Sequence, residues 1–227
     1  MLFSLLRGGA TFTSVVIHIL ASLLVIFVTM PFHEFAHAFA ATKLGDRTAR
    51  WQGRLTLNPL AHIDYIGAMG IILFGFGWAK PVPVNPGAFE NPKKGMALTA
   101  LAGPVMNVIL GFVGSVFGYM FLSVYLKNGA ALLAYIVMFF RAFSSLNIGL
   151  AVFNLIPIPP LDGWKVLGAF LPARTYWKIM SYERYISFAL IVLICMGVLD
   201  APLYAMRNLL TAVVEFLPRL IFGFGIG

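Results

Sequence analysis

An all-α polytopic membrane protein is the fold class that this chain of 227 residues predicts. It should have about four transmembrane helices, a short re-entrant segment and a small β-hairpin. Three observations carry that reading. Hydrophobic residues make up 60% of the chain and charged ones only 11%, against about 25% charged in a typical soluble domain. Four apolar runs are long enough to cross a bilayer core of about 30 Å. Eleven of the sixteen Lys and Arg residues fall in two loops between those runs. A net charge of +8 distributed this way is the signature of membrane topology, not of a nucleic-acid face, so no nucleic-acid partner is expected. The whole chain, 1–227, reads as a single membrane-embedded domain with a core over about 13–170 and a C-terminal helix over about 183–217.

Residues 1–12 form a short tail that an amphipathic pattern would suit, and they are not expected to be a cleaved signal. The first span runs from about Thr13 to Thr42 and contains His33-Glu34-Phe35-Ala36-His37. This is H-E-x-x-H: on a helix it stacks two imidazoles one turn, ~5.4 Å, apart, where they can bind a single metal. Glu34 lies ~100° round the helix from His33, so its carboxylate meets the rim of the site, where water would sit. Zinc is the expected occupant, one per chain, because two neutral imidazoles, a carboxylate and an open position make a catalytic zinc site. A five-residue match can arise by chance in a buried helix. Ionisable groups inside a membrane-length apolar segment are costly, however, which favours function. His18 is fifteen residues before His33, ~22 Å along the axis, and cannot share that metal. With Cys195 as the lone cysteine, an internal disulfide and cysteine-based zinc sites are excluded, and this thiol in an apolar run reads as inert.

After the first span, Trp51-Gln52-Gly53-Arg54-Leu55-Thr56-Leu57 roughly alternates and predicts one or two short strands, ended by Asn58-Pro59. Asp46 reads as a solvated loop charge. The apolar piece Tyr65 to Gly77 is short for a span and predicts a re-entrant segment, flanked by Lys43, Arg47, Arg50, Arg54, Lys80, Lys93 and Lys94. Lys80-Pro81-Val82-Pro83-Val84-Asn85-Pro86 must be extended, since three alternating prolines forbid a helix. The second span covers about Gly95 to Leu126, with a Gly103-Pro104 break, an amide at Asn107 that serves either a neighbouring helix or the site, and small residues for close helix packing. A turn at Lys127-Asn128-Gly129 leads to the third span, about Ala131 to Ile156. Pro157, Pro159 and Pro160 break it, and Asp162-Gly163 turns. Asp162 and Asp64, the latter beside His62, are rival candidates for a third metal ligand among eight acidic residues. A fourth span, about Tyr185 to Phe216, is expected to bend at Pro202. The basic loops after spans one and three predict that both are cytoplasmic, which brings the two halves of the site to one membrane face.

The chain resembles the site-2 protease family of intramembrane zinc metalloproteases. The resemblance rests on His33 to His37 and on Asn154-Leu155-Ile156-Pro157-Ile158-Pro159-Pro160-Leu161-Asp162-Gly163. Gly53 to Pro59, Lys80 to Asn85 and Ala102-Gly103-Pro104-Val105-Met106-Asn107 support it. It covers about Ala21 to Leu167, resembles the small members, and shows no stretch suited to a PDZ or CBS module. The resemblance implies His33, His37 and Asp162 as zinc ligands, Glu34 as general base and Asn154 as oxyanion stabiliser or substrate orienter. It also implies membrane-anchored protein substrates in the lipid bilayer. A metal transporter would be expected to show inverted repeats and several broken spans, and no clear internal repeat is visible. A silent scaffold would not be expected to keep His33, Glu34, His37 and Asp162 together.

Overall fold

The computed structural model describes residues 11–74 and 77–224. Most of the tail expected over residues 1–12, part of the expected re-entrant segment and the Cys195 side chain lie outside what is described. Among the described residues, three helical stretches are long and apolar enough to cross a membrane: Phe12–Lys43, Pro92–Asn128 and Ala131–Asn154. The first is α1 (Phe12–Leu24), a π-helical turn (Val25–Thr29) and α2 (Met30–Lys43) in one continuous run. Short helices α3 (Thr48–Trp51), α4 (Pro59–His62) and α5 (Tyr65–Phe74) follow. The long helices α6 (Pro92–Asn128) and α7 (Ala131–Asn154) then pair as an antiparallel hairpin. They are joined where Gly129 adopts φ +66° and donates its N–H to the Tyr125 carbonyl, a left-handed cap that glycine takes without steric cost. Helices α8 (Asp162–Gly168), α9 (Ala173–Met180), α10 (Glu183–Cys195) and α11 (Asp200–Ile221) follow among the described residues.

The α6–α7 contact is close because α6 presents small residues to it. A Cβ at Gly114 would lie 2.9 Å from Phe143 Cδ1, and Ser144 Oγ donates to the Gly111 carbonyl at 2.7 Å. Ala21, Val25, Ile26 and Met30 of the first run pack with Phe143, Leu146 and Leu150 of α7, and with Ile63 and Ile71. Within this apolar core the Thr29 hydroxyl donates to Asn147 Oδ1 at 3.0 Å, so both buried polar groups are paired.

Several sequence expectations need correction. The stretch Trp51–Leu57 is not a β-hairpin. Among the described residues there is no sheet, only an isolated antiparallel bridge between Ile63 and Ala79. Asp46 is the reason: its Oδ1 accepts from Thr48 N at 2.9 Å and starts a helical turn, which Arg54 N closes on the Ala49 carbonyl at 2.8 Å. Asp46 is accordingly fully buried, not solvated. The chain does not break at Gly103-Pro104, because α6 runs through Pro104 with both residues buried in helix contacts. The expected fourth span is instead two helices, α10 of 13 residues and α11 of 22. They part at Gly197, where φ is +73°. Pro202 causes no bend, since in the first turn of α11 its missing N–H costs nothing.

Helix α5 has ten residues, a rise of about 15 Å, too little to cross a bilayer. Its ends come back together. Ile63 bridges Ala79, Lys80 N donates to the His62 carbonyl at 2.8 Å, and Gly67 abuts the Trp78 backbone so closely that a Cβ there would overlap it. The residues before and after this short helix therefore lie side by side, an arrangement that suits the re-entrant segment expected from the sequence.

Candidate metal centre

Helix α2 carries His33 and His37 one turn apart, and α8 carries Asp162 in its first turn. The breaking prolines after α7 return the chain so that Asp162 meets the histidines. The His33 and His37 Nε2 atoms are 3.0 Å apart, and Asp162 Oδ2 is 3.3 Å from the first and 3.1 Å from the second. All three side chains are buried. Among the described residues they form the one group of His, Cys, Asp or Glu side chains placed to hold a metal ion.

The remaining ring nitrogens are anchored. His37 Nδ1 lies 2.7 Å from the Thr99 carbonyl oxygen, which can only accept, so Nδ1 carries the proton and Nε2 offers its lone pair inward. His33 Nδ1 lies 3.2 Å from Asn107 Oδ1, which favours the same tautomer. Two lone pairs and a carboxylate oxygen so close together demand positive charge between them. Ligands about 2.0–2.1 Å from a tetrahedral zinc stand about 3.3 Å from one another, close to the spacing found here. Space for the ion is kept by Gly103 of α6, where a Cβ would lie 2.4 Å from His37 Nε2 and 2.5 Å from His33 Nε2. Donor chemistry, spacing and room all fit zinc.

Burial alone would push the Asp162 carboxyl up. Beside it the Lys165 ammonium works in the opposite direction and favours the carboxylate form. Lys165 Nζ sits 3.1 Å from Oδ1, the oxygen turned away from the histidines. Asp162 thus turns Oδ2 to the two imidazoles and Oδ1 to Lys165.

Glu34 is buried beside the histidines, with Oε2 accepting from Val82 N at 3.1 Å. It lines a cavity of about 530 Å³ together with His33, His37, Asp162, Asn107 and Asn154. The cavity walls are mostly apolar, with Pro81, Val82 and Val84 on one side and Leu190, Ile191 and Ile194 of α10 on another. Asn154 donates from Nδ2 to the Leu150 carbonyl at 3.0 Å, leaving Oδ1 outside that bond.

The rival ligands lie elsewhere. Asp64 Oδ1 caps α5 by accepting from Ile66 N and Gly67 N, each at 3.0 Å. His62 is fully buried, with Nε2 2.8 Å from the Thr56 carbonyl oxygen. Neither belongs to the metal group. Asn107 does both things considered for it, bonding a neighbouring helix by holding a ligand of the site. Sequence reasoning missed Gly103, whose role looks like helix packing in the sequence, and the Thr99 carbonyl, which carries no side-chain signal.

Comparison with known proteins finds zinc metalloproteases. The family model of peptidase family M50 matches residues 120–198, which include Asn154 and Asp162. The chain is 39% identical over 181 residues to "Putative zinc metalloprotease YwhC" of Bacillus subtilis, covering 80% of this chain and 83% of that protein. It is 30% identical over 167 residues to "Putative zinc metalloprotease MJ0611" of Methanocaldococcus jannaschii, covering 69% of this chain and 75% of that protein. To "Putative zinc metalloprotease Rip2" of Mycolicibacterium smegmatis it is 28% identical over 167 residues, which is 71% of this chain but only 61% of that longer protein. No solved structure matches.

Proposed function

Because the chain belongs to peptidase family M50, the site-2 protease family, we propose that it is an intramembrane zinc endopeptidase. It would cleave peptide bonds in or near transmembrane segments of membrane-anchored proteins. The observation that carries this reading is the convergence of His33, His37 and Asp162 within 3.3 Å, with Glu34 beside them in an apolar cavity. Membrane-length helices around that cavity favour a substrate that is itself in the bilayer.

In this mechanism His33, His37 and Asp162 hold the ion. Zinc bound there supplies a Lewis acid for the peptide carbonyl and for water. Glu34 takes the proton from the attacking water and passes it to the leaving amine, general acid–base work on the scale of 10²–10⁴-fold. Asn154, on the cavity wall where α7 ends, orients the substrate or stabilises developing charge on its carbonyl oxygen. The apolar walls exclude bulk water, which strengthens each of these interactions. A helical substrate must unwind first, since its amides are shielded by their own hydrogen bonds. The basic loops support a multi-pass protein of the cell membrane with this centre toward the cytoplasmic side, and one membrane-embedded domain suffices for the chemistry.

The test is Glu34→Gln, which keeps shape and removes the base. It should retain one zinc per chain and lose cleavage of a transmembrane model peptide by ~10²–10⁴-fold or more. His37→Ala should lose zinc and cleavage together. A Glu34→Gln chain that cleaves at the wild-type rate would remove the base from this mechanism, and one that loses zinc would make Glu34 a ligand.

A further inference from the structure

The segment between α5 and α6 passes across the metal centre as an extended strap, Lys80 to Asn85, and its central amide is tied to Glu34. Proline at 81 and at 83 removes the N–H at both neighbours, so Val82 supplies the only backbone donor from Pro81 to Pro83. That donor goes to Glu34 Oε2 at 3.1 Å.

Buried polar groups fix both ends of the strap. At the start, Lys80 N donates to the His62 carbonyl at 2.8 Å and the Arg54 guanidinium donates to the Lys80 carbonyl. His62 is itself fully buried and anchored to Thr56. At the end, Asn85 N donates to Asp46 Oδ2 at 2.7 Å, the carboxylate whose other oxygen starts α3. A fully buried carboxylate shared between two backbone amides is costly unless both bonds form, so the end of the strap is held firmly. Asp46, Arg54 and His62 take no part in the metal centre, yet all three converge on this strap.

We propose that the strap is a positioning device for the base: Val82 N–H holds Glu34 Oε2 so that Oε1 faces the reacting water, with Asp46 and Arg54 setting the position of Val82. Alternating prolines keep the segment extended and leave one donor at the required place. The inference rests on Glu34 acting as the base.

The experiment removes one hydrogen-bond donor without changing the side chain that moves the proton. Val82→Pro deletes the N–H in a segment already extended on both sides. Replacement of Val82 by its α-hydroxy acid, through suppression, deletes it with the side chain kept and serves if the proline variant does not fold. Full-length chains in lipid are assayed for zinc content and for kcat and KM on a transmembrane model peptide that the wild type cleaves. Each is made alone and combined with Glu34→Gln. Expected is one zinc per chain, KM unchanged and kcat down about 10–100-fold, the range for a hydrogen bond to a charged group. No further loss is expected in the Glu34→Gln background, where no proton transfer is left to orient. Wild-type kcat without the N–H overturns the proposal. So does an equal loss in both backgrounds, a change confined to KM, or loss of zinc, each of which marks the strap as merely structural. Failure of the base assignment itself reads separately, as a fast Glu34→Gln single variant.

Discussion

Gly103→Ala should empty the metal centre while leaving the helices intact. The added Cβ would stand 2.4 Å from His37 Nε2, 2.5 Å from His33 Nε2 and 2.6 Å from His33 Cε1, where ordinary contact begins at 3.4 Å. Each nitrogen is therefore overlapped by nearly 1 Å. The rings cannot swing aside freely, because the Thr99 carbonyl and Asn107 hold their far nitrogens at 2.7 and 3.2 Å. A zinc ion needs to lie about 2.0–2.1 Å from the same two atoms, so methyl and metal compete for one place. Disturbing an outer partner of a zinc ligand costs about 10–100-fold in affinity, and displacing two ligands should cost more than ~100-fold. The assay is zinc per chain after dialysis against graded chelator, beside helical content by circular dichroism. Gly149→Ala in α7 is the control, since nothing lies within 4 Å of its added Cβ. A Gly103→Ala chain that keeps one zinc with wild-type affinity would refute the placement of the ion against α6.

Three other outcomes are expected. Asp162→Ala should lose zinc and cleavage, whereas Asp64→Ala and His62→Ala should keep the metal. Zinc measured in the three purified variants decides, and an empty centre in His62→Ala with a full one in Asp162→Ala reverses the assignment. Asn107→Ala frees His33 Nδ1 and should weaken zinc binding about 10–100-fold without abolishing it, as read by chelator competition. Single cysteines at Arg47 and Lys94, in a Cys195→Ala background, should be labelled only from the cytoplasmic face; outside labelling at position 94 would mean that the segment between them crosses the membrane.

Much of this site could be read from the chain because side-chain chemistry announces it. The spacing of His33 and His37 and the proline-broken helix end before Asp162 point to a meeting that the structure shows, with Asp64 the rival that it places elsewhere. That the helix Tyr65–Phe74 is too short for a span was legible from the length of its apolar run, and the structure pairs Ile63 with Ala79 on either side of it. Asp46 and the hairpin were misread for one shared reason. Alternation over seven residues is a weak signal, and a single buried carboxylate that accepts Thr48 N was enough to override it. The fourth span was misread because hydropathy does not register a left-handed glycine, and Gly197 ends α10 there. The π turn Val25–Thr29 is likewise invisible to periodicity, although it inserts extra backbone just before the metal-binding turn and changes which face the later residues present.

What stayed hidden at the centre is mostly backbone. The Thr99 carbonyl fixes a tautomer, Val82 N–H engages a carboxylate, and Asn85 N meets Asp46. Any residue type supplies such groups, so their identity in the sequence carries no trace of the role. The exceptions are positions where a residue is defined by what it lacks. Gly103 lacks the Cβ that would fill the metal's place, and Pro81 and Pro83 lack the donors that would compete with Val82. Those absences are selective in a physical sense: restoring the missing atom at Gly103 excludes the metal, whereas deleting the one donor between the prolines leaves the metal and frees the base. The two perturbations should therefore separate metal loss from rate loss within one small cavity, and a chain in which both act on zinc alone would show that the strap and α6 do the same work.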